Sequence, residues 1–547
     1  MIRILLVCGC LMACIGGASA QMKQKRGVFQ GKDWQLRALD TDGVYGAEVW
    51  KAYDYLKGYH PKVRTVVAII DGGADVTHED LKGSLWVNRG EIPGNGVDDD
   101  GNGYVDDVHG WNFVGNVDGS QLEEGCLERD REYAVLSVKY AGVDTSRLSK
   151  KGLREYRYFK EQVEPFSSIH AALQDVAGAE VAEKYAVEID RMLREMFPDK
   201  KYPLLRNFMK MMDERKLTAE QESACRYFAN LWRKEPMSSW SHIYEKRHTL
   251  VENARAEYQK RLDRTLASES ARAALGDRQG NWRDRKYGNN NLFGEKSSLH
   301  GMHVGGIVGA TRHNGLGIDG VADVELMFLR ISEGDGDERD KDVASAIFYA
   351  VENGARVINM SFGKCTSPYK KLVDQALRYA EKKGVICVRA AGNEGNSLEG
   401  ASLYPSKYIT AKRTLKNWIC VGSIGREGQP ARTSNYGKTA VDIFAPGVGV
   451  YSSVPKNGYR EFGGTSMAAP VVSGVIALIW NYFPELSAEE VRRAVLEGVT
   501  SRKGEMVFLP GRGANQVDFG ELCATGGILN ALEAVKLAEK MYNGKMN

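Results

Sequence analysis

The chain has 547 residues, with 74 basic and 71 acidic side chains and a formal net charge of +3. A charge so close to balance gives no sign of the basic surface that nucleic-acid binding requires, so nucleic acid is not expected as a partner. After the first twenty residues no apolar run is long enough to cross a bilayer, so no transmembrane span is expected in the mature chain.

The N-terminus has the pattern of an export signal. Arg3 gives a short basic region, residues 4–15 are apolar, and small residues at 18–20 form a cleavage site. The pattern predicts that residues 1–20 are a signal peptide and that the protein is exported to the periplasm, the cell surface or the medium. A second hypothesis stays open, because the segment ending at Cys14 resembles a lipobox and would anchor the chain through a lipidated Cys14.

The first buried strand is predicted at residues 66–70, which are apolar throughout, and Asp71 follows it directly. Runs of this kind are typical of parallel strands that are buried on both faces. Open α/β sheets place their clefts at the carboxyl ends of such strands. A lone aspartate there is more often a turn or a helix cap, so Asp71 needs partners elsewhere in the chain to indicate chemistry.

An acidic, glycine-rich loop follows at residues 95–107. Oxygen-bearing side chains alternate with other residues there, a pattern that suits a hard cation such as calcium. His109 stands where an EF-hand would carry its bidentate glutamate, so the loop is not an EF-hand. We predict a structural calcium site, with a simple acidic turn as the alternative; the candidate ligands are Asp98, Asp100, Asn102, Tyr104 and Asp106.

Residues 121–281 have a helical pattern throughout. Apolar side chains recur at three- and four-residue spacing, as at Ile189 and Leu193, and Thr218 with Gln221 has the pattern of a capping box. Two hypotheses remain for this segment, which we call the insertion. It is either a solvated helical hairpin without a partner, or a subdomain beside the cleft that limits access or docks a partner.

Beyond the insertion, short apolar runs alternate with amphipathic stretches. Strands are predicted at residues 324–329, 356–360, 385–390 and 418–422, and helices at residues 342–353, 369–382 and 467–482. This alternation predicts an α/β fold in which a parallel central sheet is covered by helices.

Three segments in this second half carry reactive or polar residues: 300–306 with His300, 388–395 with Asn393, and 463–470 with Ser466. A serine hydroxyl becomes a nucleophile only when a base lies within hydrogen-bond reach and donors face the oxyanion that forms. Ser466 follows two glycines and precedes a run of small residues at a helix start. The unpaired N–H groups of such a start favour developing negative charge.

Together these segments resemble the motifs of the subtilisin-like serine peptidases, the subtilases. The segment at 463–470 matches the family's serine motif without a substitution, and the order Asp71, His300, Ser466 is the order found in subtilisin. Met302 departs from the threonine that the family commonly carries there. The resemblance runs from about residue 33 to residue 534, leaving out the insertion.

The resemblance implies a catalytic triad in which Asp71 orients His300, His300 transfers the proton and Ser466 attacks the peptide carbonyl. It also implies that the Asn393 amide donates to the oxyanion. Further residues are implied to bind an extended substrate, namely Ser361, Phe362, Gly363, Ala391 and Gly392.

We therefore expect an exported serine endopeptidase that acts on proteins or peptides. Its catalytic unit would comprise residues 33–120 and 282–547, separated by the insertion at 121–281. The propeptide usual in the family is not evident between the signal and Asp71. Two rival hypotheses are a catalytically silent scaffold, which would have no need of all four reactive residues, and a thiol peptidase using Cys365, which lacks a matching histidine.

Overall fold

The structure is a computed structural model that describes residues 31–546, except positions 117, 235, 237–240, 279, 282, 335, 402 and 512. The predicted signal peptide and Cys14 lie outside the described residues.

Fifteen strands are found in this part of the chain. They are β1 (Val66–Asp71), β2 (Gly110–Asn112), β3 (Glu325–Arg330), β4 (Val357–Met360), β5 (Ile386–Ala390), β6 (Tyr408–Thr410), β7 (Arg413–Thr414), β8 (Trp418–Ile424), β9 (Ile443–Pro446), β10 (Val450–Val454), β11 (Gly458–Phe462), β12 (Val499–Ser501), β13 (Met506–Phe508), β14 (Gln516–Asp518) and β15 (Gly527–Leu529).

Fourteen α-helices accompany the strands in the same described part. They are α1 (Leu39–Asp42), α2 (Val49–Tyr55), α3 (Glu128–Lys139), α4 (Lys150–Tyr158), α5 (Ser168–Met196), α6 (Leu205–Glu214), α7 (Ala219–Lys234), α8 (Ser241–Ala273), α9 (Ser298–Gly309), α10 (Asp340–Glu352), α11 (Lys370–Lys382), α12 (Thr465–Tyr482), α13 (Ala488–Glu497) and α14 (Ala531–Met546).

The central sheet has nine strands in the order β12-β15-β9-β8-β5-β4-β1-β3-β2. Every neighbouring pair is parallel except β12 with β15. The predicted parallel sheet covered by helices is therefore confirmed. β1 lies between β3 and β4, so Asp71 at its carboxyl end has a neighbouring strand on each side.

Two apolar cores cover the two faces of this sheet. Along β1, Val67 and Ile69 join the core that contains α9 and α12, whereas Ala68 and Ile70 join the core that contains α10 and α11. Successive strand residues point to opposite faces, which is why a continuously apolar run was needed at this position.

Helix α12 passes through the middle of the first core. Among the described residues it is the one helix long and apolar enough to span a membrane, and 89% of it is buried inside the protein. That burial is typical of a core helix, and it fixes the position of Ser466 near the helix start.

The insertion forms helices α3 to α8 and has two apolar cores of its own. The first contains Tyr133, Phe159 and Val163 from its N-terminal part. The second contains side chains of α5 to α8, including Ile189 and Phe228. Thr218 and Gln221 exchange the two hydrogen bonds of the predicted capping box.

Candidate active site

Asp71 and His300 form the best defined polar pair at the carboxyl edge of the sheet. His300 Nδ1 lies 2.8 Å from Asp71 Oδ1 and 3.0 Å from Oδ2, so it is the donor to an acceptor-only carboxylate. The Asp71 side chain is 6% exposed, and that of His300 is 43% exposed. The carboxylate thus fixes the ring while leaving its other edge open.

A glycine allows this pair to form. A Cβ added to Gly301 would lie 2.4 Å from the carbonyl oxygen of Gly73, closer than real contacts permit. Because Gly301 has no side chain, the first turn of α9 approaches the loop after β1 closely enough for His300 to reach Asp71.

Ser466 is held by Ser361, which follows β4. The Ser466 hydroxyl donates to the Ser361 carbonyl oxygen at 3.0 Å, and the Ser361 hydroxyl donates to the Ser466 carbonyl oxygen at 2.8 Å. Pro470 explains why that second acceptor is free, since it lacks the N–H that residue 470 of α12 would otherwise donate to residue 466. The Ser466 hydroxyl therefore faces Ser361, and not His300, in this structure.

Asn393 stands beside the start of α12. Its side-chain oxygen accepts from the backbone N–H of Thr465 at 2.9 Å and from the Thr465 hydroxyl at 3.2 Å. With its oxygen occupied in this way, the amide NH₂ of Asn393 has no hydrogen-bond partner among the described residues and points away from Thr465. An exposed donor is thus held next to the serine.

A cavity of about 300 Å³ opens at this point, lined by Asp71, His300, Glu338, Ser361 and Phe362 among others. Burial by itself would lower the pKa of His300. The charge and hydrogen bond of Asp71, with a smaller effect from the charge of Glu338, outweigh burial, so the pKa of His300 is raised. Burial raises the pKa of Glu338 itself to about 7. The cavity therefore combines a polarised imidazole with a second carboxyl group.

The five candidate substrate-binding residues fall into two groups. Ser361 and Phe362 line the cavity, and no hydrogen bond to the backbone of Phe362 or Gly363 is found in the described part of the chain. Ala391 and Gly392 instead use their backbone groups internally. The N–H of Ala391 donates to Val421, that of Gly392 donates to Thr465, and both carbonyls accept from Asn435.

The sequence model of the subtilase family (Peptidase_S8) matches residues 63–511. The matched span contains Asp71, His300, Asn393 and Ser466. This chain belongs to the subtilase family.

Individual relatives match a smaller part of the chain. The thermophilic serine proteinase of Bacillus sp. (strain AK1) is 39% identical over 181 residues, 33% of this chain and 42% of that protein. Subtilisin DY of Bacillus licheniformis is 38% identical over 206 residues, 37% of this chain and 70% of its own length. Thermitase of Thermoactinomyces vulgaris is 36% identical over 197 residues, 36% of this chain and 65% of thermitase. The chain thus spans roughly two fifths to two thirds of these relatives.

The second histidine of this subtilase's histidine motif has a structural environment. His303 is fully buried, its Nε2 lies 3.0 Å from the Arg460 carbonyl oxygen, and its ring stacks on Phe462 at 4.5 Å between centroids. Burial lowers the pKa of His303 to about 4, so this ring stays neutral near pH 7.

The acidic loop of the subtilase brings three carboxylates together, those of Glu91, Asp100 and Asp107, with one oxygen of each within 4.8 Å of the others. Burial raises the pKa of Asp107 to about 6. Asn102 is hydrogen-bonded to this group, because its side-chain NH₂ donates to Asp100 at 3.1 Å and to Asp107 at 3.0 Å.

The other candidate ligands are arranged differently. Asp106 accepts from the backbone N–H groups of residues 94, 95 and 96. The Tyr104 hydroxyl donates to the Arg285 carbonyl, away from the loop. Asp98 accepts from Gly103 through Oδ2, while its Oδ1 is buried with no hydrogen-bond partner among the described residues.

Sequence reasoning missed Glu91, Asp107 and Glu338. Glu91 lies outside the alternating pattern that marked the loop, and Asp107 is the second of two adjacent aspartates, of which only the first fits the spacing. Glu338 lies in a charged segment between β3 and α10 that has no motif. Its position beside His300 follows only from the fold.

Proposed function

We propose that this subtilase is a serine endopeptidase in which Asp71, His300 and Ser466 form the catalytic triad. The observation that carries the proposal is that both carboxylate oxygens of Asp71 contact His300 Nδ1, at 2.8 and 3.0 Å. These two residues line a cavity that Ser361 also lines, and Ser361 is hydrogen-bonded to Ser466. The Asp71 contact fixes the tautomer whose free Nε2 is able to accept a proton.

In the proposed reaction the Ser466 hydroxyl turns from the Ser361 carbonyl to His300 Nε2. His300 takes the proton as Ser466 attacks the peptide carbonyl, and the charge of Asp71 stabilises the imidazolium. His300 then protonates the leaving amine, and water hydrolyses the acyl-enzyme by the same proton transfers in reverse. Hydrogen bonds in such sites commonly tighten only when substrate is bound.

The oxyanion that forms on attack needs donors that are already in position. We assign this role to the Asn393 amide and the backbone N–H of Ser466. Thr465 supports the assignment, because its two hydrogen bonds hold the Asn393 oxygen and thereby orient the NH₂ group. The macrodipole of α12 adds to the same effect.

An active-site label tests the proposal. A fluorophosphonate probe should label the wild-type protein, Ser466→Ala should abolish both labelling and hydrolysis of an unfolded protein, and the circular dichroism spectrum should not change. Ser146→Ala, at an exposed serine of the insertion, is the matched control and should label like the wild type. A folded wild-type protein that neither labels nor cleaves would refute the proposal.

We further propose that the acidic loop binds calcium as a structural ion. The donors fit a hard cation, since the cluster gathers three carboxylates, and in the same loop Asp98 has a buried oxygen without a hydrogen-bond partner among the described residues. Glu91, Asp100 and Asp107 would hold the ion, while Asn102 donates its side-chain NH₂ group to two of these carboxylates. Bound calcium would offset the charge gathered here and tie the loop to β2, without taking part in catalysis.

Substrates and localisation belong to the same proposal. The open backbone of Phe362 and Gly363 suits an extended polypeptide that adds to it as a strand. Export by the N-terminal signal, with or without a lipid on Cys14, would place the enzyme with proteins or peptides outside the cytoplasm. A partner that docks on the insertion remains a hypothesis for which the structure gives no specific contact.

A further inference from the structure

A cavity lies where the insertion meets the catalytic unit. This junction cavity has a volume of about 810 Å³, within the usual range for ligand sites. Glu132 of α3 and Tyr158 of α4 line it from the insertion, and the segment from Cys365 to Tyr369 lines it from the catalytic unit. Both parts of the chain are needed to form it.

The junction cavity lies close along the chain to the segment that is proposed to bind the substrate. Ser361 contacts the Ser466 hydroxyl, Phe362 lines the catalytic cavity, and Cys365 lines the junction cavity only three residues later. This segment follows β4 and bends at Cys365, and since an extended chain advances at most about 3.6 Å per residue, Cys365 lies within roughly 14 Å of Ser361. A substrate extended along this strand would bring a side chain about four residues from the scissile bond to the junction cavity.

The wall of the junction cavity is acidic. Its ionisable lining includes five carboxylates and two arginines. Most of the acids already have a cation: Glu128 pairs with Arg131 and Lys364, Asp340 with Lys364, Glu269 with Arg339, and Glu155 with Lys139.

Glu132 is the exception. It has no ion pair among the described residues, and the hydrogen bond that it has is accepted from the Tyr158 hydroxyl at 2.6 Å. Burial raises the pKa of Glu132 to about 7, because it outweighs the opposing effects of the Tyr158 hydrogen bond and the charge of Lys364. The rings of Tyr158, Tyr369 and Tyr404 complete the wall, and such rings attract cations as well as apolar chains.

We propose that the junction cavity is a specificity subsite for a lysine or arginine side chain of the substrate, about four residues from the scissile bond, with Glu132 as its counter-ion. The insertion thereby selects basic polypeptides, because α3 and α4 supply the residues that distinguish this wall. This inference rests on the peptidase function proposed above.

A positional scan tests it with the full-length protein. Internally quenched peptides of one sequence, carrying a single lysine or glutamine at each successive position on both sides of a fixed cleavage site, give kcat/KM for each pair. The lysine peptide should exceed its glutamine partner by about tenfold at one position about four residues from the bond, as for one partly buried ion pair. Equal rates for lysine and glutamine at every position would overturn the inference.

Variants assign the effect to the cavity. Glu132→Gln keeps the shape and an acceptor for Tyr158 and should reduce the lysine-to-glutamine ratio to about one. Glu183→Gln, at an exposed acid of α5, removes the same charge and should keep the wild-type ratio. A ratio that survives in Glu132→Gln would also overturn the assignment. Failure of the peptidase function looks different, because the wild type would then cleave no peptide faster than Ser466→Ala.

Discussion

At the scale of single residues, the site depends on a few backbone and side-chain choices that release polar groups for use. Because Pro470 has no N–H, the Ser466 carbonyl oxygen is open to accept a hydrogen bond from the Ser361 hydroxyl. The Ser466 hydroxyl donates to the Ser361 carbonyl oxygen and is thereby held beside β4. Thr465 occupies the oxygen of Asn393 and leaves its NH₂ group free. Each of these contacts positions a group that would be costly to orient during the reaction.

The raised pKa of His300 predicts the pH dependence of activity. The imidazole must be neutral to accept a proton, and its folded-state pKa lies above the ordinary value of about 6.5, so kcat/KM should rise with pH through a midpoint above that value. Glu338→Gln removes a negative charge that favours the imidazolium, so the midpoint should fall. A profile for Glu338→Gln that coincides with the wild type would show that Glu338 has no influence on His300.

The Asn393 amide gives a second prediction at this scale. Asn393→Ala should lower kcat by about 10²–10³-fold with little change in KM, because the donor acts mainly on the charge of the transition state. Asn396→Ala, a change at another asparagine of the same loop, is the control and should retain activity. Equal losses in kcat and in substrate affinity would indicate damage to the loop and not loss of an oxyanion donor.

At the scale of elements, the sequence predicts the sheet better than the loops. The runs at 66–70 and 385–390 become β1 and β5 within a residue of the predicted bounds, because a strand buried on both faces is apolar at nearly every position, with Arg389 the one charged side chain in these two runs. The acidic loop is different. Its cluster depends on Glu91 and Asp107, which the turns of the chain bring next to Asp100, and no fixed spacing describes those turns.

Calcium should stabilise the folded protein through this loop. Binding to the native state alone raises the free energy of unfolding, by about 2.7 kcal/mol at a free ion concentration of a hundred times the dissociation constant, and the midpoint of thermal unfolding rises with it. Asp100→Asn should reduce this rise, whereas Asp99→Asn, which removes the same charge outside the three-carboxylate group, should largely keep it. Scanning calorimetry of both variants over a calcium titration measures the difference. A wild-type midpoint that calcium does not move would argue against the site.

Buried ion pairs fix the insertion to the catalytic unit. Lys364, with a side chain 3% exposed, lies 2.7 Å from Glu128 of α3 and 2.9 Å from Asp340 of α10. Arg272 of α8 forms two hydrogen bonds with Asp342, at 2.7 and 2.8 Å. These contacts make α3 and the end of α8 part of the catalytic unit's own packing, which a helical pattern alone does not reveal.

Lys364→Met should therefore destabilise the fold by about 3–5 kcal/mol near pH 7, because it removes the cation paired with buried Asp340 and leaves buried Glu128 with Arg131 alone. Lys139→Met, which breaks an exposed pair with Glu155, should change stability by less than about 1 kcal/mol. Urea unfolding midpoints measure both.

The pH dependence of the Lys364→Met effect has a definite sign. Despite burial, Lys364 and Arg131 hold the pKa of Glu128 at about 2, below its ordinary value. The stabilisation from Glu128 is thus complete above its unfolded-state pKa and is lost as the pH falls toward about 2. The cost of Lys364→Met should shrink over the same range, and a cost independent of pH would contradict the pairing with Glu128.

At the scale of the whole molecule, the insertion is a helical projection with a fixed base. Helix α8 carries Arg272 at its base and Leu250 in the second insertion core. These residues are 22 positions apart, so at 1.5 Å per residue the second core stands roughly 33 Å along the helix from the catalytic unit. Removing the whole insertion would orphan the buried charges at its base, so only the outer part is suitable for deletion.

A truncated variant decides whether this projection limits access to the cleft. Replacing residues 184–250 with a short Gly/Ser linker keeps the Glu180–Arg255 pair between α5 and α8 and the ion pairs at the base. If the projection is a steric gate, the variant should cleave folded proteins faster than the full chain while small peptides are cleaved at the same rate, since only a bulky substrate meets the outer helices. The ratio of the two activities is the measurement. An unchanged ratio in a well-folded variant would exclude size gating and leave two explanations for the outer helices, partner docking or a solvated hairpin without a partner.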